Sequence, residues 1–383
     1  MFGSNNSKLD SGAGLYIHVP FCRTKCRHCG FYSEPIGEHN AAAVVSAMIA
    51  EMKRHELGKN IITIYIGGGS PSSLPPEHLL RLVHCAAERC PAATEFTIEV
   101  NPGQVNQELL LTLRKAGVNR LSIGAQSFVQ RELDFLARGY TIDSTGRVVQ
   151  QARKAGIENI SLDLIFAVPG SSLDSWKHNL RAAIALAADH ISAYSLTYED
   201  RTPLARDMAA GLVEPVDEDT DRAMYELTID ELARAGIDQY EISNFARPGF
   251  ECRHNLIYWA NGSYVGIGPG ATSYLKGTRS TNVADIHKYV RAITSGESTV
   301  ESSETLAARE RACETAVLNL RRRCGIDAAK FRNQTGFDPL ELFADPIRTY
   351  QEEGLIQKHG GWIFLTRPAL GISDSILCDF ALV

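Results

Sequence analysis

The sequence predicts an α/β chain: a partial (β/α)6 barrel followed by a small helical, winged-helix-like C-terminal domain. Three observations carry that expectation. Short runs rich in β-branched and aromatic residues alternate with helical segments as far as residue 197, the pattern of parallel strands joined by crossover helices. A helix tail, an Ala-Gly pair and a new apolar run recur as LRKAGVNRLSIG (113–124), ARKAGIENISLD (152–163) and LARAGIDQYEIS (232–243). A polar stretch at 295–305 then precedes short helices and a hairpin around Gly360-Gly361.

Taken in order, residues 1–14 have neither the basic segment nor the apolar run of a signal peptide and read as a mobile tail. The barrel is expected over 15–245. Its strands are LYIHV (15–19), ITIYIG (62–67), EFTIEV (95–100), the runs opening RLSIG and ISLDLIFAV, and 190–197. Runs such as ISLDLIFAV read as apolar on both faces, as covered parallel strands do. Gly117, Gly156 and Gly236 fit left-handed helix ends, where the missing Cβ removes the steric penalty. Six units are too few to close an eight-stranded barrel, so the sheet is expected to stay open and to be extended by a segment around 237–245. Residues 246–300 read as a connection carrying a further motif. Residues 301–383 supply the last domain, with helices at 306–321, 326–334 and 338–353, the hairpin LIQKHGGWIFLT and a final helix. That hairpin carries little positive charge, so a scaffold or lid is expected rather than a nucleic-acid reader.

Composition narrows the function. The chain has 383 residues, 44% hydrophobic and 22% charged, with a net charge of −6. These are ordinary values for a globular protein with a sizeable core, and they give no reason to expect a polyanion partner. Arg321-Arg322-Arg323 reads as a solvated helix end. No apolar run approaches the ~18 residues that span a bilayer. Nine cysteines, an odd number, point to a reducing cytoplasm, where clustered thiols mean metal or redox chemistry. Cys85, Cys90, Cys313, Cys324 and Cys378 are scattered and read as inert.

FCRTKCRHCGFYS (21–33) concentrates three cysteines, Cys22, Cys26 and Cys29, just beyond the first strand. Disulfides use cysteines in pairs and structural zinc takes four ligands. Three thiolates suit a four-iron, four-sulfur cluster with one iron left open to a small molecule. A zinc site completed by His28 or His18 is the alternative, and His18 also fits an inward, hydrogen-bonded strand histidine. Other chemically notable groups fall at strand ends: the GGGSPS turn (67–72), Glu99, Gln126 and Asp163. A carboxylate within the apolar run around Asp163 would be costly alone and so requires a partner or a ligand.

With the aromatic pair Phe31-Tyr32, the C-x3-C-x2-C-x-aromatic pattern resembles the radical S-adenosylmethionine (SAM) superfamily. The resemblance implies that Cys22, Cys26 and Cys29 hold a [4Fe–4S] cluster and that SAM binds the open iron through its amino and carboxylate groups. It implies SAM contacts at Tyr16, Gly68, Gly69, Ser70, Glu99, Gln126, Arg138 and Asp163. Over the whole chain, LYIHVPFC, GGGSPS, EVNP, SIGAQSF, DLIFAVPG, HISAYSLTYE, YEISNFA and RHNLIYW resemble one branch: oxygen-independent coproporphyrinogen III oxidase and the related radical-SAM haem chaperones.

Three features separate those two relatives. The oxidase has a further cysteine where this chain has Phe31, and a longer N-terminal extension than the fourteen residues before Leu15. The chaperones carry an H-N-x-x-Y-W motif, matched here by His254-Asn255-Leu256-Ile257-Tyr258-Trp259. An imidazole can ligate haem iron, and aromatic faces can stack on a porphyrin. The resemblance therefore assigns haem contact to His254, Tyr258 and Trp259, with Cys252 as a second soft ligand. A plain structural plug of the barrel by these aromatics is the alternative. Three positions depart from the family: Tyr140 stands for a histidine, Ala167 for a glycine, and GIGPGATS for a pattern that includes cysteine and histidine. GIGPGA (266–271) also mimics a dinucleotide-binding turn, but Pro269 interrupts it and neither a strand before it nor a helix after it is expected.

The expected function is a haem chaperone that carries the cluster, binds SAM, and takes haem as cargo. Oxidative decarboxylation of coproporphyrinogen III is the enzymatic alternative, and another radical-SAM reaction a third. Haem and haem-accepting proteins are the implied partners, with no nucleic acid. A cytoplasmic location leaves room for contact with a membrane face, and self-association stays open.

Overall fold

The computed structural model describes residues 12–383. Its first strand, β1 (Ala13–Val19), shows the logic of the whole sheet. Leu15, Ile17 and Val19 are fully buried in the layer beneath the helices. Tyr16 and His18, at the alternate positions, turn to the other face and meet each other, and Tyr16 meets Tyr65. The same alternation runs through β2 (Ile61–Gly68), β3 (Glu95–Val100), β4 (Arg120–Gln126), β5 (Asn159–Phe166) and β6 (His190–Ser195). Ile64, Ile98, Leu121, Leu162 and Ile191 join the core on one side. Thr63, Thr97, Ser122, Ser161 and Ser192 are buried on the other. The expectation that these strands are apolar on both faces is therefore corrected: one face is an apolar core, and the other is a buried polar lumen.

Four short strands follow, β7 (Asp238–Glu241), β8 (Asn244–Ala246), β9 (Tyr264–Ile267) and β10 (Thr272–Leu275), then β11 (Thr278–Asn282) and β12 (Val300–Thr305). All twelve form one open sheet in the order β12-β11-β10-β9-β1-β2-β3-β4-β5-β6-β8-β7. The run from β9 through β1 to β6 is parallel. The six expected barrel strands are thus present, and the 237–245 segment extends the sheet as an antiparallel edge.

The other edge differs from expectation. Tyr264–Ile267 is a seventh parallel strand beside β1, and so a strand does precede GIGPGA. No helix follows it, because β10 turns straight back. Gly268 donates its N–H to Glu51 at 2.8 Å, which makes this turn a structural joint. The polar stretch expected as a domain connection is partly β12, an edge strand whose residues are all exposed.

The crossover helices start and stop for local reasons. Asn40, Asn106 and Asp217 each accept a hydrogen bond from a first-turn N–H, and Ser172 forms a reciprocal capping pair with Ser175. Gly117, Gly156 and Gly236 have φ of 107°, 81° and 71°, the left-handed ends anticipated from the repeat. The helix Leu173–Ala185 anchors Trp176, whose indole N–H donates at 2.9 Å to Thr228 Oγ1 on the helix Glu218–Arg234.

Residues beyond β12 form helices at Ala308–Leu320, Ala328–Thr335, Ala344–Glu352 and Ser373–Ala381 with a three-stranded sheet that includes the hairpin Ile356–His359 and Trp362–Leu365. Ala312, Leu320, Phe331 and Phe343 belong to the same hydrophobic cluster as the barrel strands. The arginine trio is not a solvated end. Arg321 lies 5.0 Å over the Trp259 ring, and the main chains of Arg321 and Arg323 bond Ile242 and Tyr240.

Candidate functional site

The three cysteines lie on one loop, closed at its base where Phe21–Cys22 pairs with Glu34–Pro35. Cys29 N–H bonds the Cys26 carbonyl, and Leu204 N–H bonds the Arg27 carbonyl. Arg27 pairs with Asp207 at 2.5 Å and lies over Phe135, so two neighbouring helices hold the loop. All three thiols are half-buried. Burial and the neighbouring thiols push Cys22 and Cys29 up, while Arg138 opposes this. The Arg138 guanidinium donates to Cys26 Sγ at 3.1 Å. A cation beside three sulfurs suits a centre whose thiolates carry excess negative charge.

No three His, Cys, Asp or Glu side chains among the described residues converge on a single-ion site. His18 has both ring nitrogens engaged, Nδ1 with Tyr16 Oη at 3.1 Å and Nε2 with the Tyr32 carbonyl at 3.0 Å. It is the inward strand histidine, placed to brace the loop rather than to complete a zinc shell. His28 lines the cavity next to the cysteines, and burial pushes its pKa down to about 4. Soft donors on one tight loop, with a facing cation, fit the cluster.

Below the loop the lumen opens into a cavity of about 660 Å³. Cys22, Cys26 and Cys29 line its mouth together with Gly68, Gly69, Ser70, Glu99, Gln126, Arg138 and Asp163. Seven positions, expected separately from four strand ends and a helix tail, thus share one space. Tyr16, the eighth, is not among the lining residues; it lies behind them, bonded to His18. The glycines are there for closeness. A Cβ on Gly68 would stand 2.6 Å from His18 Nδ1, and one on Gly69 2.4 Å from the Phe21 carbonyl oxygen. Gly68 N–H and Tyr65 Oη both donate to Glu99, at 3.2 and 2.8 Å.

Glu99 and Asp163 show how the lumen treats charge. Burial, reinforced by Asp163, raises Glu99 to about 7 despite its two donors. Asp163 has the partners its position demanded: Ser192 Oγ at 2.8 Å, Ser122 Oγ at 3.0 Å and Ser161 Oγ at 3.3 Å. Burial still pushes it up. Both are acceptors facing the cavity, suited to hydroxyls or a cation. Two departures from the family also gain a physical account. Tyr140 Oη donates to the Gly124 and Ala125 carbonyls at 2.5 and 3.1 Å and sits against the Arg138 guanidinium, so it orients that arginine. Ala167 has φ of 56°, a left-handed conformation that a glycine adopts freely.

The Arg253–Trp259 helix closes the opposite end of the barrel. His254 is 1% exposed; Nδ1 engages Thr63 Oγ1 at 2.8 Å and Nε2 engages Tyr258 Oη at 2.8 Å. Burial pushes its pKa down to about 3, which keeps the ring neutral. Cys252 is buried against Glu95, and Trp259 lies under Arg321. In this arrangement His254 offers no free nitrogen and Cys252 no exposed sulfur. The motif residue that does line the cavity is Asn255. Arg120, His190 and Tyr65 line it too and were missed, as were the serines around Asp163. Their inward phase on successive strands was the available signal.

A model of the Radical SAM superfamily matches residues 16–183, and one of the HemN C-terminal domain matches 306–370. Heme chaperone HemW of Lactococcus lactis is 34% identical over 98% of this chain and 98% of its own. The Bacillus subtilis protein of the same name is 34% identical over 95% and 98%. The chain belongs to the HemW family. The HemW protein of Escherichia coli is 37% identical over 67% of the chain and 68% of that protein. Among solved structures, coproporphyrinogen III oxidase (HemN) from Escherichia coli superposes with a TM-score of 0.83 at 20% identity, covering 97% of this chain and 90% of that one. That likeness establishes the fold, a HemN-like radical SAM barrel with its C-terminal domain. No described helix is long and apolar enough to cross a membrane.

Proposed function

We propose that this HemW-family chain is a haem chaperone, holding a [4Fe–4S] cluster on Cys22, Cys26 and Cys29 and binding SAM beneath it. The observation that carries the reading is the sharing of one cavity by the three thiols and the seven lining residues expected to touch SAM. When bound, the cluster supplies an open iron for a chelating ligand and a source of single electrons. The chain's own residues do the positioning. Gly68 and Gly69 let the turn at the cavity wall pack against His18 and Phe21, Glu99 and Asp163 accept from a ligand's donors, and Arg138 compensates charge at Cys26. Haem cargo is supported by the near-full-length relatives named as haem chaperones and by Phe31, which is 70% exposed beside the cysteines where the oxidase has a further cysteine.

Axial ligation by His254 requires the Arg253–Trp259 helix to unseat from Thr63 and Glu95. Tyr258 and Trp259 would become available to a porphyrin in the same movement. A haem-accepting protein is the implied partner, and a cytoplasmic location suits the free thiols.

Haem titration and an anaerobic coproporphyrinogen assay on one reconstituted sample test the reading. It expects a Soret band that saturates with haem and no protoporphyrinogen formed with SAM and a reductant. Protoporphyrinogen formation without haem uptake would instead establish the oxidase reading.

A further inference from the structure

The floor of the lumen holds a guanidinium that the field of Glu95 stabilises but that no described acceptor meets. Arg120 is 1% exposed, yet it lines the cavity, and its Nε has no hydrogen-bond partner. Among the described residues nothing accepts from its guanidinium and no carboxylate pairs with it. A buried arginine left this way is costly unless something else fills its fork.

The groups around it are engaged elsewhere. Glu95 accepts from the main-chain N–H groups of Arg253 and His254, both at 3.0 Å. Asp163 is held by three serines, and Glu99 by Tyr65 and Gly68. His190 engages Ser161 Oγ through Nδ1 and Tyr240 Oη through Nε2. Asn255, on the closing helix, faces the same cavity, and its amide takes part in no hydrogen bond among the described residues. Arg120 lies in register with Thr97 and Asn159, one layer deeper than Glu99 and Ser122. Two donors without partners, one from β4 and one from the helix, therefore face one cavity, Arg120 a layer below the acceptors.

We propose that this floor is a carboxylate-binding subsite, in which Arg120 takes both oxygens of a lumen ligand's carboxylate and Asn255 adds a further donor. A single planar negative charge matches the guanidinium fork. A doubly charged phosphate would suffer more from Glu99 and Asp163 on the walls above. Two sources share this chemistry: a propionate arm of a tetrapyrrole entering from the cysteine end, or a separate low-mass carboxylic acid. The first rests on the haem reading above; the second does not. With the helix seated, either gives the motif's asparagine a ligand-facing role while His254 fastens the helix; ligation of iron by His254 belongs to the unseated helix.

The test uses the full chain, anaerobically reconstituted. Haem and haem dimethyl ester, whose carboxylates are blocked, are titrated into wild type, Arg120→Leu and Asn255→Ala and followed at the Soret band. In parallel, thermal unfolding is recorded with propionate and with propionamide. A propionate arm at the floor predicts that wild type binds haem about ten- to a hundredfold more tightly than the diester. Arg120→Leu should bring haem down to the diester's affinity and leave the diester unchanged, with a smaller loss in Asn255→Ala. A free acid predicts equal binding of haem and diester, and stabilisation of wild type by propionate alone that Arg120→Leu abolishes. Equal binding of haem and diester, with no preference for propionate over propionamide, overturns the subsite and leaves the haem reading intact. If neither porphyrin binds, the haem reading fails and the propionate contrast alone decides the subsite. Should Arg120→Leu not fold, the two wild-type contrasts still decide it.

Discussion

Glu99 is a carboxyl group on the cavity wall, held by two donors and in no ion pair among the described residues. Folded, it titrates at about 7, against an ordinary 4.5. Between those values the folded chain holds a proton that the unfolded chain has released, so stability is fully present below about 4.5 and is lost as pH rises through about 7. Glu99→Gln should remove that slope, which amounts to at most about 3 kcal/mol. Urea midpoints of the two apo-proteins at about pH 5 and about pH 8 check it; parallel changes would show that the carboxyl is not responsible. Its neighbour Asp163 was legible in the sequence as a lone acid that needs a partner, because an apolar run makes an acid conspicuous. The three serines that satisfy it were not, since a serine in a strand signals nothing until the phase of the strand is known. Arg120 escaped for the same reason: in GVNRLSIG it reads as a polar residue at a strand start, and only the register turns it inward.

At the scale of elements, the loop 20–35 and the turn 67–73 are one device. Gly69 N–H bonds the Val19 carbonyl and Ser70 N–H the Phe21 carbonyl, at 2.9 and 2.7 Å, so the second strand's end grips the start of the cysteine loop. A side chain at Gly69 has no room, because the Phe21 carbonyl that it would strike is main chain. Gly69→Ala should therefore displace Cys22 and at least halve the iron retained after reconstitution, while helical content measured by circular dichroism stays near wild type. Full iron retention would show that the grip is dispensable. Most elements were legible, since helices and strands of the barrel announce themselves by period and by their glycine ends. The four strands of the edge beside β1 were not. Tyr264–Ile267 and Thr272–Leu275 are four residues long beside glycine-rich turns, too short for a period to register, and Thr278–Asn282 has only polar residues. Val300–Thr305 exposes every residue, and main-chain pairing at a sheet edge leaves no hydrophobic pattern to read. The Arg253–Trp259 helix was legible as a motif but not in its orientation, which sends His254 into the barrel floor and Asn255 into the cavity.

On the scale of the whole molecule, the barrel and the C-terminal helices share one hydrophobic cluster. The main chain of Arg321–Arg323 bonds the β7 edge, and Asn319 reaches the Trp259 carbonyl on the helix that closes the lumen. The C-terminal region therefore supports the floor of the site as well as the sheet. Unfolding of the intact chain should be a single cooperative transition, and a chain ending at residue 305 should lose most of its soluble yield, because it exposes the apolar face left by Ala312, Ala316 and Leu320. Two well-separated transitions would contradict a common core. Fold class was the most legible feature of the sequence, since it depends on many weak signals that agree. The arginine trio was misread because charge alone does not reveal that a main chain beneath it is paired. The function proposed for this cavity depends on a thiolate-held cluster with one iron open to SAM inside it. Electron paramagnetic resonance of the anaerobically reconstituted, reduced protein, with and without SAM, tests that most directly. Roughly four irons per chain and a spectrum that changes when SAM is added, both lost in Cys26→Ser, is the predicted result; bound zinc, or an iron signal indifferent to SAM, would contradict it.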